Sequence, residues 1–209
     1  EKSFAEYHLY ELARSTTLKD RSTKQVELLD IESIPLTRKY VLHSGEHRVA
    51  IILEFKNEKK LAQGLGVPLP KGPVRIFQRA DDDALEFVGQ DQVDHTPKDE
   101  PVKLRLGYAF DVTARRKFLA QRVDKTHLEQ DIEIRLRNHK KEAVTIDVLE
   151  AIDARANWEM LRKSHEFTRR DVGTIVFPIT VQPNAETILT YTIRYAIQAP
   201  KGDPSVDPV

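Results

Sequence analysis

The chain has no cysteine, one methionine and one tryptophan, and it carries no excess of charge of either sign. The missing cysteines exclude disulfides, iron–sulfur clusters and thiolate zinc sites, and they leave the redox compartment open, because oxidising and reducing environments both tolerate a cysteine-free chain. Lys+Arg and Asp+Glu number 33 each, so the formal net charge is zero and the isoelectric point is about 7.3. That balance removes the uniform basic surface with which phosphate is neutralised, so no nucleic-acid partner is expected. No apolar run approaches the length of a membrane span, so no membrane insertion is expected either. Glu1 opens the sequence in place of Met, which reads as a processed or excised piece from which any signal peptide has gone.

What is present is an apolar content of 40% over 209 residues, enough for one large domain or two small ones. The apolar residues recur with a period of two. Leu128, Ile132, Ile134 and Leu136 sit at even positions, with Glu129, Asp131, Glu133, Arg135 and Arg137 between them. An extended chain puts the two sets on opposite faces. A polar turn over 138–142 follows, after which Val144, Ile146, Val148 and Ile152 alternate with Thr145, Asp147 and Glu150. The segment 128–152 therefore reads as one long β-hairpin, whose length offers unpaired backbone to a partner strand. Ile175 to Val181 and Leu189 to Ile197 repeat the pattern, the first with Pro178 as a sign of an edge or a bulge. Phe110 to Phe118 reads as a further strand.

The first half is more broken. Tyr7 to Leu12, Gln25 to Ile31, Arg38 to His43 and Val49 to Phe55 are expected strands, and Val74 to Arg79 with Leu85 to Val88 form a hairpin whose tip is Asp81-Asp82-Asp83. Between Gly64 and Pro73 lie three Gly and three Pro, which makes that stretch a loop. Asn57 to Gln63 and Trp158 to His165 can each hold a short helical turn. Many short strands separated by turns indicate an all-β fold, an antiparallel sandwich with two packed immunoglobulin-like subdomains. The boundaries fall at 1–107 and 108–199, with a Pro-containing disordered tail over 200–209. The second half lacks the Cys–Trp–Cys signature of antibody domains, and Trp158 is its available anchor.

No catalytic, cofactor-binding or metal-ligating residue is assigned. His43 and His47 flank Gly45, a spacing that presents ligands on one face only in a helix, so the stretch reads as a solvated turn. His8, His127 and His139 are not linked by spacing. Asp81-Asp82-Asp83 offers oxygen ligands to calcium but lacks the remaining features of a calcium loop. Asp91, Asp94, His95, Asp99 and Glu100 gather within Gly89 to Pro101, where Asp94 and His95 meet without a nucleophile or an oxyanion site. Ser164 and His165 are neighbours, and in a strand they would point to opposite faces. Gly64, Gly66, Lys71 and Gly72 lack phosphate-loop spacing. The pairs and triplets Arg115-Arg116-Lys117, Lys140-Lys141 and Arg169-Arg170 read as solvated strand faces.

Several of these segments resemble the C-terminal β domain of mucoidy-inhibitor-like bacterial proteins. They are Tyr10-Glu11-Leu12, Thr17-Leu18-Lys19-Asp20 and Thr23 to Leu28; Pro70 to Phe77, Leu85 to Gly89 and Asp94-His95-Thr96-Pro97-Lys98; and Arg135 to Asn138 with Asn157-Trp158-Glu159. The sequence departs from that pattern over 63–66. The resemblance implies a β domain without an assigned activity, preceded in the longer protein by an N-terminal β domain and a coiled coil, often behind an export signal. It implies a periplasmic or extracellular location. The expected role is a non-enzymatic module that contacts a protein partner or the upstream coiled coil, without cofactor. A glycan is the alternative partner, in a carbohydrate-binding or hydrolytic domain acting on envelope polysaccharide.

Overall fold

The computed structural model describes residues 2–4, 7–9, 15–27, 31, 33–62 and 65–197. Every regular element among them is a strand: β1 Lys2–Phe4, β2 Tyr7–Leu9, β3 Thr37–His43, β4 Arg48–Lys56, β5 Gly72–Arg79, β6 Leu85–Val93, β7 Pro101–Val123, β8 His127–Asn138, β9 Val144–Ala151, β10 Trp158–Lys163, β11 Thr168–Asp171, β12 Thr174–Val181 and β13 Ala185–Ala196. The fold is all-β and sandwich-like, as the period-two pattern predicts. The chain divides into two compact units, Glu1–Arg38 with Ile52–Leu106, and Lys39–Ile51 with Gly107–Val209. Most of β3 and the first residues of β4 therefore group with the second half of the chain.

The second unit is built on the strand order β10-β13-β8-β7-β4-β3-β9-β12-β11. Its sheet is mixed, because β3 runs parallel to β9 while β8, β13 and β10, and likewise β9, β12 and β11, pair antiparallel. The sheet folds over so that β12 lies against β13 and β8. Ile134, Leu136 and Leu189 from one layer meet Ile146, Phe177 and Ile179 from the other, all fully buried. Each such side chain contributes about 1.5–3 kcal/mol relative to exposure. Rings join the layers: Phe177 stacks on Tyr191 with centroids 5.4 Å apart, Phe167 lies 5.5 Å from Phe177, and Trp158 lies 6.3 Å from Phe167. Arg169 of β11 sits 4.4 Å over Trp158 of β10, tying the two end strands together through side chains.

The long hairpin expected over 128–152 does not form. β8 pairs with β7 on one side and β13 on the other, whereas β9 pairs with β12 and β3. Both apolar rows face one core, but from opposite layers, and residues 139–143 arch between them. Alternation specifies the buried face of a strand without specifying its neighbour. Asn138 holds the arch. It is fully buried, its Nδ2 donates to the carbonyls of Glu142 (2.7 Å), Val181 (3.2 Å) and Gln182 (3.2 Å), and its Oδ1 accepts from the Lys140 N–H (2.9 Å). The unpaired backbone expected on this segment is consumed by β7, β13, β3 and β12.

Other local expectations also shift. Residues 158–163 form strand β10 rather than a helical turn, because β13 supplies a ladder partner that the local sequence does not reveal. Residues 57–62 turn without a helix, held by fully buried Asn57, whose Nδ2 donates to Val67 O (2.7 Å) and Pro97 O (3.0 Å) and whose Oδ1 accepts from the Gly66 N–H (3.0 Å). Residues 25–27 are not in a strand, and 28–30 lie outside the described residues, as do 10–12 and 198–209. Residues 65–71 form the expected loop, with Leu69 bridged to Thr96, whereas Gly72 and Pro73 already belong to β5 and Gly64 lies outside the described residues. Pro178 pairs with Asp147 on the β9 side and lies beyond the Thr168–Val176 pairing that ends β11, so its missing N–H faces no partner strand.

Candidate functional site

In the first unit, Leu53, Val102 and Leu104 form a small core against which Val74, Ile76 and Val93 of the β5–β6 hairpin pack. Gly89 is where this hairpin comes down on β7. A Cβ there would lie 2.6 Å from the Leu106 carbonyl oxygen, so any larger residue forces the backbones apart. Beside it, the Asp91 carboxylate accepts the Arg105 backbone N–H at 2.6 Å.

Beyond Gly89 the register changes. Ile76 pairs with Gly89 but Phe77 pairs with Phe87, which leaves Val88 as the extra residue of a β-bulge. Without the bulge, Phe87 and Leu85 would share the parity of Gly89 and Val93 and face the core. With it, they stand opposite Phe77 and Arg79 on the outward face. Phe77 and Phe87 meet edge to face, centroids 5.6 Å apart and planes at 68°, and they stay 50% and 56% exposed, with Leu85 at 66%. Gln78 and Glu86 pair on the other face, so the outer half of the ribbon is apolar on one side and polar on the other.

The turn that ends the ribbon is closed by bonds between Ala80 and Ala84 (2.9 Å) and between the Asp83 N–H and Ala80 O (3.0 Å), with Asp83 at φ 63°. Asp82 accepts the Ala84 N–H at 3.1 Å, and Asp83 pairs with Arg79 at 3.2 Å. Of the three aspartates considered as calcium ligands, Asp82 and Asp83 are thus engaged in the turn itself, and Asp81 is its tip residue. Residues 77–88 carry Arg79 against Asp81, Asp82, Asp83 and Glu86, a local charge of −3.

The remaining sequence candidates are dispersed. His43 to His47 form an exposed turn between β3 and β4, with the Glu46 N–H bonded to His43 O and Gly45 at φ 78°. His95 and Asp94 do not act on one another: His95 Nδ1 takes the Lys71 N–H at 3.4 Å, and Asp94 pairs with the Lys71 side chain. Asp99 caps the Asn57 carbonyl through its N–H. Ser164 and His165 correct an expectation. They lie in a bend rather than a strand, and Ser164 Oγ stands 2.8 Å from His165 Nδ1. The same hydroxyl accepts the Thr190 N–H at 2.9 Å, which anchors the bend to β13. Among the described residues no three His, Asp or Glu side chains converge as metal ligands do. The basic clusters are likewise separated, with Arg116 in the interior, Lys140 in the arch and Arg169 on Trp158.

An interior ionic cluster escapes the alternation reading. Arg116 of β7 bonds Glu150 of β9 through Nη2 (3.0 Å) and Nε (3.2 Å), and the Tyr191 hydroxyl of β13 donates to the same carboxylate oxygen. Glu150 and Tyr191 are 3% and 4% exposed. Burial, followed by the charge of Glu150, pushes the Tyr191 hydroxyl pKa up, and Arg116 is held above its ordinary value by Glu150 against the opposing effect of burial. The signal was parity: Glu150 shares even positions with Ile146 and Val148, as Arg116 does with Val112 and Ala114, so both charged residues occupy inward places. All three groups satisfy one another within the sandwich, which makes this a clasp between strands. Comparison with protein families, with curated proteins and with solved structures gives no match to this chain.

Proposed function

We propose that this chain is a non-enzymatic β-sandwich module that docks a protein partner through the outward face of β5 and β6, as part of a larger bacterial envelope protein. One observation carries the reading: a bulge at Val88 re-aims Phe87 and Leu85 from the core side to solvent beside Phe77. Bulges are retained features that re-aim side chains, and clustered exposed apolar groups mark contact sites. The end strands of the nine-stranded sheet contrast with this. β11 is four residues long with Arg169, Arg170 and Asp171, β10 carries Glu159, Arg162 and Lys163, and both have register irregularities, all features that discourage strand addition. The two phenyl rings are tilted at 68° on a two-stranded ribbon, which supports contact with side chains better than stacking of a flat sugar ring. The envelope setting is supported by the sequence resemblance to mucoidy-inhibitor-like proteins.

The test is face-specific photocrosslinking in intact cells with benzoylphenylalanine at Leu85 or at Glu86, adjacent residues on opposite faces. Docking through the outward face gives a discrete protein adduct from position 85 that is lost on adding Phe77→Ser. Equal adducts from both positions, or none from 85, overturn the reading.

A further inference from the structure

We infer that the free edge of β7 over residues 113–118 receives an acidic, extended segment of a partner protein as an added strand, a contact surface separate from the β5–β6 face. β7 has 23 residues, whereas β4, its neighbour on the side away from β8, has nine. The two ends of β4 fix its place along β7. The Asn57 N–H, just past the last residue of β4, donates to Glu100 O at 3.0 Å, and Arg48, the first residue of β4, lies 3.8 Å from the Tyr108 ring centroid. β4 is therefore spent near Tyr108. From Val112 onward β8 holds one edge of β7, and among the described residues no strand borders the other. Exposure agrees: Phe118 is 59% exposed although Ile132, directly opposite it, is 2% exposed. Ile132 sits in a strand flanked on both sides, Phe118 in one flanked on a single side. Every second residue of such an edge turns its N–H and C=O outward, which is the template for strand addition. The register shift between Phe118 and Ala120 bounds the regular stretch.

Charge selects the sequence of the added strand. On the outward face of this stretch Arg115 and Lys117 of β7 share the surface with Arg135, Arg137 and Glu133 of β8 and Glu186 of β13. Four bases meet two acids, a local charge of +2 in a chain of zero net charge. Both acids are engaged by β8, Glu133 by Arg135 at 2.7 Å and Glu186 by Arg135 at 3.3 Å and Arg137 at 3.4 Å. Arg115 has Arg135 directly opposite it, and like charges so placed are unfavourable. An acid arriving on the free side of Arg115 or Lys117 offsets that excess. On the inward face Phe118 lies 4.4 Å from the Arg116 guanidinium and offers exposed apolar surface. The matching strand therefore alternates acidic with apolar residues.

The same cations disfavour a second copy. Antiparallel pairing of this stretch with itself sets Arg115 against itself or against Lys117, which is how basic residues keep edges from self-association. The end strands β10 and β11 differ, being six and four residues long and carrying both signs of charge.

The experiment uses the full chain with four probes: a short fluorescein-labelled peptide alternating Glu with Val, its Lys/Val counterpart, the Glu/Val peptide N-methylated throughout, and phosphatidylglycerol vesicles. Fluorescence anisotropy is expected to show the Glu/Val peptide binding at least about tenfold more tightly than the Lys/Val peptide. N-methylation keeps the charges but removes the main-chain donors, and it weakens binding about tenfold. Arg115→Gln with Lys117→Gln weakens it about fivefold and flattens its salt dependence. Both side chains are exposed, and an unchanged melting temperature verifies folding of the variant. Amide exchange read residue by residue slows within 113–118 when the Glu/Val peptide is added. Equal binding of the Lys/Val or the N-methylated peptide, unaltered binding by the variant, or preferential binding to vesicles overturns the inference. So does protection of every amide over 113–118 in the free chain, which would show the edge already paired, or a dimer of the free chain that confers this protection, which would make a second copy the occupant.

Discussion

Tyr191 donates its hydroxyl to the Glu150 carboxylate oxygen that also receives Arg116, so strands β7, β9 and β13 converge on one buried acceptor. Removing the acceptor alone leaves Arg116 and the tyrosine hydroxyl desolvated without a partner. Glu150→Ala is therefore expected to cost about 3 kcal/mol, measured as a lowered urea midpoint. Arg116→Met with Glu150→Leu removes both charges and fills the space, and it recovers part of that loss, the Tyr191 hydroxyl staying without its acceptor. If the double variant is less stable than Glu150→Ala, the cluster does not behave as a mutually compensating pair.

Asn138 predicts a different failure. Its amide satisfies three carbonyls and one N–H at the arch between β8 and β9. Asn138→Asp keeps the shape but loses the donors and brings a charge among carbonyl oxygens, so it should destabilise by about 2–3 kcal/mol, as much as Asn138→Ala. Hydrogen exchange at Lys140, whose N–H depends on Asn138 Oδ1, should rise in Asn138→Ala. Protection unchanged from wild type would show that the arch is held by other contacts.

These two side chains also mark where sequence reading succeeded and where it stopped. The buried rows of β4, β8, β12 and β13 are legible because one face of each is apolar at every second residue. The β5–β6 hairpin is legible from its turn and its short connection. Strand order is not, because Leu136 would be buried equally beside β9 or beside β13, and the choice depends on which layer the 139–143 arch enters. Glu150 is assigned to the polar row by its charge although its even position places it inside, and only Arg116 and Tyr191, distant in sequence, explain why burial is tolerated. The bulge at Val88 is invisible for a related reason. Leu85-Glu86-Phe87-Val88 has no gap or proline to signal an extra residue, and the shift appears only when Phe77 is seen to pair with Phe87.

Gly89 gives a steric prediction. A methyl group there would lie 2.6 Å from the Leu106 carbonyl oxygen and 3.3 Å from its Cδ1. Backbone cannot rotate away as a side-chain end can, so Gly89→Ala should cost about 1–3 kcal/mol and loosen β6 from β7. Amide exchange at Arg105, bonded to Asp91 nearby, is expected to accelerate. Gly72→Ala is the control, since a Cβ there meets nothing within 4 Å. Similar losses at both sites would contradict a specific close approach at Gly89.

Acid should weaken the fold through the carboxylates of the outer sheet face. Glu129 is held below its ordinary pKa by Arg194 and then Arg122, Asp131 by Arg122 and then the Thr192 hydroxyl, and Asp124 by the backbone N–H groups of Thr126 and His127. Each is more acidic folded than unfolded, so between the two values the unfolded chain binds more protons and stability rises with pH. The contribution is complete above the unfolded values near 4 and disappears as pH falls through the lower folded values. Urea midpoints should thus be level from about pH 7 to pH 5 and decline below about pH 4. Glu129→Gln should reduce that decline, since a neutral amide keeps the size of the side chain without titrating. High salt should reduce it as well, because these groups are near solvent and their charge interactions are screened within about 10 Å at moderate ionic strength. A midpoint that stays level to pH 3, or a Glu129→Gln profile that matches wild type, would show that these ion pairs do not couple protonation to folding.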